Sequence, residues 1–162
     1  MDDTPLVSIL MNCFNGERYL NEAIDSIYAQ TYQNWEVVFW DNASTDRSAS
    51  IAKGYDKRIK YYLAPETTPL GEARNLALEK SDGQYIAFLD CDDIYLPDKL
   101  EQQVKLMQGK DCAMCYGSVA VIDESGKEIK KDIVKNKSGN VFSALLRRYE
   151  INMQTVMLKK DF

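Results

Sequence analysis

The chain has no surplus of positive charge: 20 lysines and arginines stand against 25 aspartates and glutamates, a formal net charge of -5. A polyphosphate backbone meets no long-range attraction here, which excludes DNA and RNA as partners; a nucleotide must be held locally, by backbone amides, a metal ion or single arginines. No apolar run reaches the roughly 18 residues that cross a bilayer, and Met1-Asp2-Asp3-Thr4 lacks the basic start of a signal peptide. The simplest expectation is a cytoplasmic protein, with membrane association at the inner face only through sequence outside this chain. Cysteine is scarce, four in 162 residues, and a chain of this length buries about two-thirds of its unfolded surface without needing disulfides. Cys112 and Cys115 have C-x-x-C spacing, but no glycine-rich knuckle surrounds them. Their neighbours read as a strand, on which residues three apart face opposite ways. Buried free thiols are the expectation. The first turn also lacks both Gly-x-Gly-x-x-Gly and a glycine-rich, arginine-containing phosphate loop, which excludes a dinucleotide-dependent dehydrogenase and a nucleotidyltransferase.

What is present is an ordinary globular composition, 45% apolar and 28% charged. Leu6 to Met11 is a short β-forming run closed by Asn12, Asn15 and Gly16. From Glu17 to Gln30 the apolar residues Tyr19, Leu20, Ala23, Ile24, Ile27 and Tyr28 share one helical face. The unit recurs: a strand over Trp35 to Trp40, a polar loop Asp41 to Asp46, a helix Arg47 to Gly54, and a strand Ile59 to Leu63. A helix Leu70 to Lys80 and a strand Gln84 to Leu89 follow. Strict alternation predicts one α/β domain over 1–162, Rossmann-like, with a mostly parallel sheet flanked by helices. Beyond it come a helix from Pro97 to about Gln108, a strand Ala113 to Ile122, a turn at Asp123 to Gly126, and a charged hairpin return or loop over Lys127 to Lys137. A helix Val141 to Tyr149 and a strand Thr155 to Leu158 follow. No closing element follows Asp161-Phe162, so the end reads as a cut.

In parallel sheets ligands gather outside the carboxyl ends of the strands. Three polar loops stand there: Asn12 to Gly16, Asp41 to Asp46, and Asp90-Cys91-Asp92-Asp93. Three acids in four residues repel one another unless a cation sits among them. Oxygen ligands suit Mg²⁺ or Mn²⁺, which use one or two carboxylates together with substrate phosphates. The plainer role for Asp92 and Asp93 is to favour the start of the next helix by about 0.3–1 kcal/mol. For Asp41 it is turn formation, and for Arg74 a solvated helix charge.

The string Pro5 to Leu10, then Asn15, Tyr19-Leu20, Ala23-Ile24, Ser26-Ile27 and Gln30-Thr31-Tyr32, resembles the opening of family 2 glycosyltransferases. The likeness continues through Asp41 to Asp46, Gly71-Glu72-Ala73-Arg74-Asn75, Gly83 to Ile86, and Phe88 to Asp93 with Pro97. The resemblance implies a GT-A fold that binds a nucleotide sugar and a divalent cation, Mn²⁺ or Mg²⁺. It implies transfer of a sugar from an NDP-sugar, a UDP-sugar by expectation, to the hydroxyl of a glycan or lipid-linked acceptor with inversion, in polysaccharide or cell-surface glycan synthesis. It assigns Asn12, Phe14 and Asn15 to the base-binding loop, Asp41 to the uracil or ribose, and Arg74 to the nucleotide. Asp90 falls at the ribose and metal region, and Asp92 is the direct metal ligand. Asn12-Cys13-Phe14 departs from the family, which more often has Pro or Thr and then Tyr, so Phe14 can stack on a base but offers it no hydroxyl. The family's catalytic base lies well downstream of the acid motif. Neither Glu150 nor Asp161 has a matching context, so the base is expected beyond Phe162, with the acceptor-side segment, and the fragment is expected to bind donor but transfer little. The alternative is a non-catalytic nucleotide-binding module without an acceptor half.

Overall fold

The structure is a computed structural model and describes residues 4–109, 112–132, 138–141 and 151–161. Its centre is a six-stranded sheet in the order β3-β2-β1-β4-β8-β5. The strands are β1 (Val7–Cys13), β2 (Trp35–Asp41), β3 (Ile59–Leu63), β4 (Tyr85–Phe88), β5 (Met114–Cys115) and β8 (Met157–Lys159). β1 runs parallel to β2 and to β4, and β2 parallel to β3, while β8 is antiparallel to both β4 and β5. Every residue of β1 and β2 is buried, as suits mostly apolar strands covered on both faces, with Ser8, Asn12, Glu36 and Asp41 the polar exceptions.

Alternation along the strands sorts the core into two layers. Val7, Ile9, Met11 and Cys13 of β1 pack with Trp35, Val37 and Phe39 of β2. On that face lie helix α1 (Leu20–Tyr28), through Leu20, Ala23, Ile24 and Ile27, helix α2 (Ser48–Lys53), through Ala52, and helix α4 (Lys99–Gly109), through Leu100, Val104 and Met107. The other layer sets Leu10, Val38, Trp40 and Ile86 against Ala73 and Ala77 of helix α3 (Leu70–Glu79). Among the described residues no helix is long and apolar enough to cross a membrane.

Three expectations change in detail. The first helix begins at Leu20 rather than Glu17: residues 17–19 form turns in which the Tyr19 and Leu20 amides both donate to the Gly16 carbonyl (3.1 Å each), while the Glu17 amide donates to the Asp46 carboxylate (2.9 Å). The strand expected over Ala113 to Ile122 is broken: β5 joins the main sheet, and β6 (Val119–Ile122) pairs with β7 (Glu128–Asp132) in a separate hairpin. Gly117, with no side chain to pack, stands in the break. The last strand starts at Met157, after a 3-10 turn over Met153–Thr155. Of the helix expected over Val141 to Tyr149, Val141 is described and is not helical; the rest, with the acid Glu150, lies outside the described residues.

At the amino end of the sheet, the buried Glu36 carboxylate accepts from Ser8 (2.6 Å) and from the Asp82 amide (2.8 Å) and pairs with Lys60. Ser8 in turn accepts from the Gly83 amide (2.7 Å). A Cβ on Gly83 would lie 2.5 Å from the Ser8 nitrogen, so only glycine lets β4 enter the sheet here. The carboxyl end carries the polar loops.

Candidate functional site

From β1 the chain turns one way to β2 and β3, while β4 lies on the other side of β1. The gap between β1 and β4 is thus the topological switch point, where diverging loops leave a crevice. It is bounded by Asn12 and Cys13 at the end of β1, Phe14 just after it, and Asp90 to Asp93 after β4.

On the α1 and α2 side the loops close on each other. The amides of Asn15, Gly16 and Glu17 donate to Ser44 Oγ (3.0 Å), Ser48 Oγ (3.0 Å) and Asp46 Oδ2 (2.9 Å). In return Asn15 Oδ1 accepts from the Thr45 amide (2.8 Å) and Glu17 Oε2 from the Arg47 amide (2.9 Å). Asp41 shares a face with Phe39 and is fully buried. Its carboxylate accepts from the Ser44 amide (2.8 Å) and from the Tyr61 hydroxyl (2.6 Å). Asn15 and Ala43 hold positive φ, 53° and 64°, a conformation asparagine tolerates and alanine adopts at a cost of about 1 kcal/mol.

The α3 side is different. Asn12, opposite Trp40 in register, is only 7% exposed, yet among the described residues neither its amide nitrogen nor its amide oxygen has a hydrogen-bond partner. The indole nitrogen of Trp40 is likewise buried and unpartnered. Above them Arg74, projecting from α3, donates to Asp90 (3.0 Å), whose other oxygen accepts from Gln154 in the 3-10 turn. Phe14 stands 53% exposed at the lip.

Asp92 is exposed and, among the described residues, has no hydrogen-bond or ion-pair partner. Burial, with Asp92 and Asp90 close by, pushes Asp93 up to about 6, while Gln154 opposes the rise. Among the described residues no three of His, Cys, Asp and Glu form a closed metal cage. A Mg²⁺ or Mn²⁺ site completed by phosphate needs only one or two carboxylates, and the exposed Asp92 with the crowded Asp93 beside it fits that requirement. Asp90, occupied by Arg74 and Gln154, would reach an ion only by exchanging a partner. On the far side of Asp92 a cleft of ≈ 180 Å³ runs to the hairpin turn, between Tyr19 and Glu22 on one wall and Ile122 to Glu124 on the other.

The four cysteines are free thiols. Cys13, at the tip of β1, and Cys91, inside the acid motif, adjoin each other: the Cys91 thiol draws Cys13 down to about 7 against its burial, while the same neighbour, with burial, pushes Cys91 up.

The structure therefore brings Asn12, Phe14, Arg74, Asp90 and Asp92 to one crevice and turns Asp41 and Asn15 into the adjoining loop network. Gln154 and Trp40 were missed from sequence. Gln154 arrives from 64 residues downstream of Asp90 with no motif around it, whereas Trp40 could have been found by counting along β2 from Val38, two residues earlier on the same face.

The family profile described as "Glycosyl transferase family 2" matches residues 8–160. An uncharacterized glycosyltransferase of Haemophilus influenzae is 38% identical over 160 residues, covering 97% of this chain and 63% of that protein. The Escherichia coli protein WfgD, named UDP-Glc:alpha-D-GlcNAc-diphosphoundecaprenol beta-1,3-glucosyltransferase, is 34% identical over 99% of this chain and 62% of its own length. Among solved structures, S. aureus TarS in complex with UDP-GlcNAc superposes with a TM-score of 0.64 at 25% identity, covering 67% of this chain and 32% of that one. The chain thus spans less than two-thirds of the length of these relatives.

Proposed function

The chain belongs to glycosyl transferase family 2 and has the GT-A fold, and from that premise we propose that it is the donor-binding part of a metal-dependent enzyme. The enzyme moves a sugar from a nucleotide diphosphate, a UDP-sugar, to the hydroxyl of a glycan or lipid-linked acceptor with inversion. The observation that carries the reading is the buried, unpartnered amide of Asn12 beside the unpartnered Trp40 indole, at the rim where Arg74 meets Asp90. Leaving such groups without a partner costs about 1–3 kcal/mol each. A base edge offering one donor and one acceptor, as uracil does, satisfies an amide in both directions.

The other roles follow from position. Phe14 stacks on the base, and Arg74 supplies fixed donors to carbonyl or phosphate oxygens. Asp41 and Asn15 hold the neighbouring loops that flank the nucleotide, Asp41 reaching the uracil or ribose only if it releases the Tyr61 hydroxyl or the Ser44 amide. Asp92, together with Asp90, would hold Mn²⁺ or Mg²⁺ jointly with donor phosphate oxygens. When bound, the cation neutralises charge that develops on the leaving diphosphate. The acceptor proton needs a base within one hydrogen bond. We assign that base, and the acceptor side, to the part of the relatives' length that this chain does not span, so donor binding belongs to this chain and transfer to the whole enzyme. Names of relatives support uridine: UDP-Glc for WfgD and UDP-GlcNAc in the TarS complex. WfgD's lipid diphosphate acceptor supports polysaccharide or cell-surface glycan synthesis by a cytoplasmic protein at the inner membrane face.

Calorimetry with UDP, with and without Mn²⁺, tests this. Heat that requires the cation and fails with ADP or GDP is the expected result; no heat from a protein whose circular dichroism shows it folded overturns it.

A further inference from the structure

β4 pairs with β1 as far as Leu10 opposite Phe88, the Leu89 amide then donates to the Leu10 carbonyl, and the turn that follows carries Cys91 to the tip of β1, where Cys13 ends the strand. The side chains converge as well. From the point a Cβ on Gly16 would occupy, the Cys91 sulfur lies at 2.7 Å and the Cys13 sulfur at 2.8 Å, so the two sulfurs fill the space glycine leaves. Cys13 is 1% exposed, whereas Cys91 is partly open to solvent. One thiol is thus accessible and the other waits behind it.

We propose that Cys13 and Cys91 form a reversible disulfide when the protein meets a hydroperoxide, and that this cross-link, by tying the acid loop to the tip of β1, weakens cation-dependent nucleotide binding. The Cys91 sulfur, the one open to solvent, passes its proton to the Cys13 thiolate beside it and attacks one peroxide oxygen; the O–O bond breaks and the departing hydroxide takes a proton from solvent to leave as water, giving a sulfenic acid. The Cys13 sulfur then attacks the Cys91 sulfur, the S–O bond breaks, and the hydroxide leaves with the Cys13 proton as a second water. Two sulfurs are oxidised and both peroxide oxygens reduced, so atoms and electrons balance. A thiol reductant reverses the bond by exchange. Closing the bond draws the two sulfurs, each within 2.8 Å of one point, to the roughly 2.05 Å of a disulfide. That pulls on the backbone between Asp90 and Asp92, the segment that must advance on a cation held with phosphate. The binding half of the proposal rests on the donor reading above; the cross-link itself does not.

The experiment treats the folded 162-residue protein with hydrogen peroxide, then maps peptides by mass spectrometry without reduction. A Cys13–Cys91 linked peptide is expected, with Cys112 and Cys115 still free, and dithiothreitol should restore all four thiols. Cys115→Ser should keep the link, and Cys91→Ser should lose it. A link through Cys112 or Cys115 instead, or Cys91 running on to the sulfinic acid with Cys13 still reduced, overturns the proposal. Oxidised protein should then bind UDP with Mn²⁺ about fivefold or more weakly than reduced protein; equal affinity overturns the regulatory half. If the link forms but the reduced protein binds no UDP, the thiol pair stands and the donor reading fails.

Discussion

The two flanks of the β1 tip are built from similar polar residues and end in opposite states. On the α1 and α2 flank, Asn15, Glu17, Asp41, Ser44, Asp46 and Ser48 answer one another's hydrogen bonds across loops about 30 residues apart in sequence. On the α3 flank, Asn12 and Trp40 are buried without partners among the described residues, and in the acid loop beside it Asp92 is exposed and likewise without one. A closed network contributes stability and fixes where the loops stand; an incomplete one lowers stability and is completed only by something that arrives. Substitutions should therefore act on stability on one flank and on binding on the other.

The largest expected effect is at Asp92. Asp92→Asn, or removal of divalent cation with a chelator, should weaken UDP binding on the order of 100-fold by calorimetry while leaving the melting temperature of the apo protein in place; a loss of stability of similar size would erase the contrast. Next is Asp41→Ala, which leaves the Tyr61 hydroxyl and Ser44 amide without their acceptor. It should cost about 2–3 kcal/mol in urea denaturation and change UDP affinity in the residual folded protein by less than about threefold. Asn12→Leu sharpens the comparison by splitting the signs. Removing a buried amide with no partner should raise stability by about 1 kcal/mol, yet weaken UDP binding about tenfold; parallel losses in both would mean that Asn12 is only a packing residue. The smallest effect is at Ala43, whose φ of 64° strains any residue with a Cβ. Ala43→Gly should raise stability by about 0.5 kcal/mol, the relief of strain less the added freedom of the unfolded glycine, with binding unchanged.

Much of the fold was legible because its central strands announce themselves. Val7 to Met11 and Trp35 to Trp40 are mostly apolar runs, interrupted only by Ser8 and Glu36, as suits strands buried on both faces, and each is followed by turn residues and a helical stripe. The acid loop was legible as a candidate for the opposite reason, since Asp90, Asp92 and Asp93 stand so close together that a cation or the start of the next helix must offset their repulsion. What failed to show was long-range. Gln154 reaches Asp90 because β8 inserts beside β4 and carries the preceding turn to the rim, and no local pattern encodes an insertion. The inward turn of Asp41 was half visible: its place two residues after Phe39 puts it on the α2 face, but whether it met solvent or Tyr61 depended on how β3 pairs. The break between β5 and β6 escaped because period-2 patterning is the same for one strand and for two in different sheets.

By itself the sequence determined the alternation of strands and helices, the parallel sheet that follows from it, and the clustering of carboxylates after β4, all consequences of patterns spanning a few residues. Only the tertiary structure decided which polar groups would satisfy one another and which would be left open. That depends on register and strand order: Cys13 faces Cys91, Asn12 faces Trp40 and Glu17 meets Asp46 because β1 sits between β2 and β4. Hydrogen bonds act over about 3 Å, and nothing local in a chain fixes which distant residues come that close.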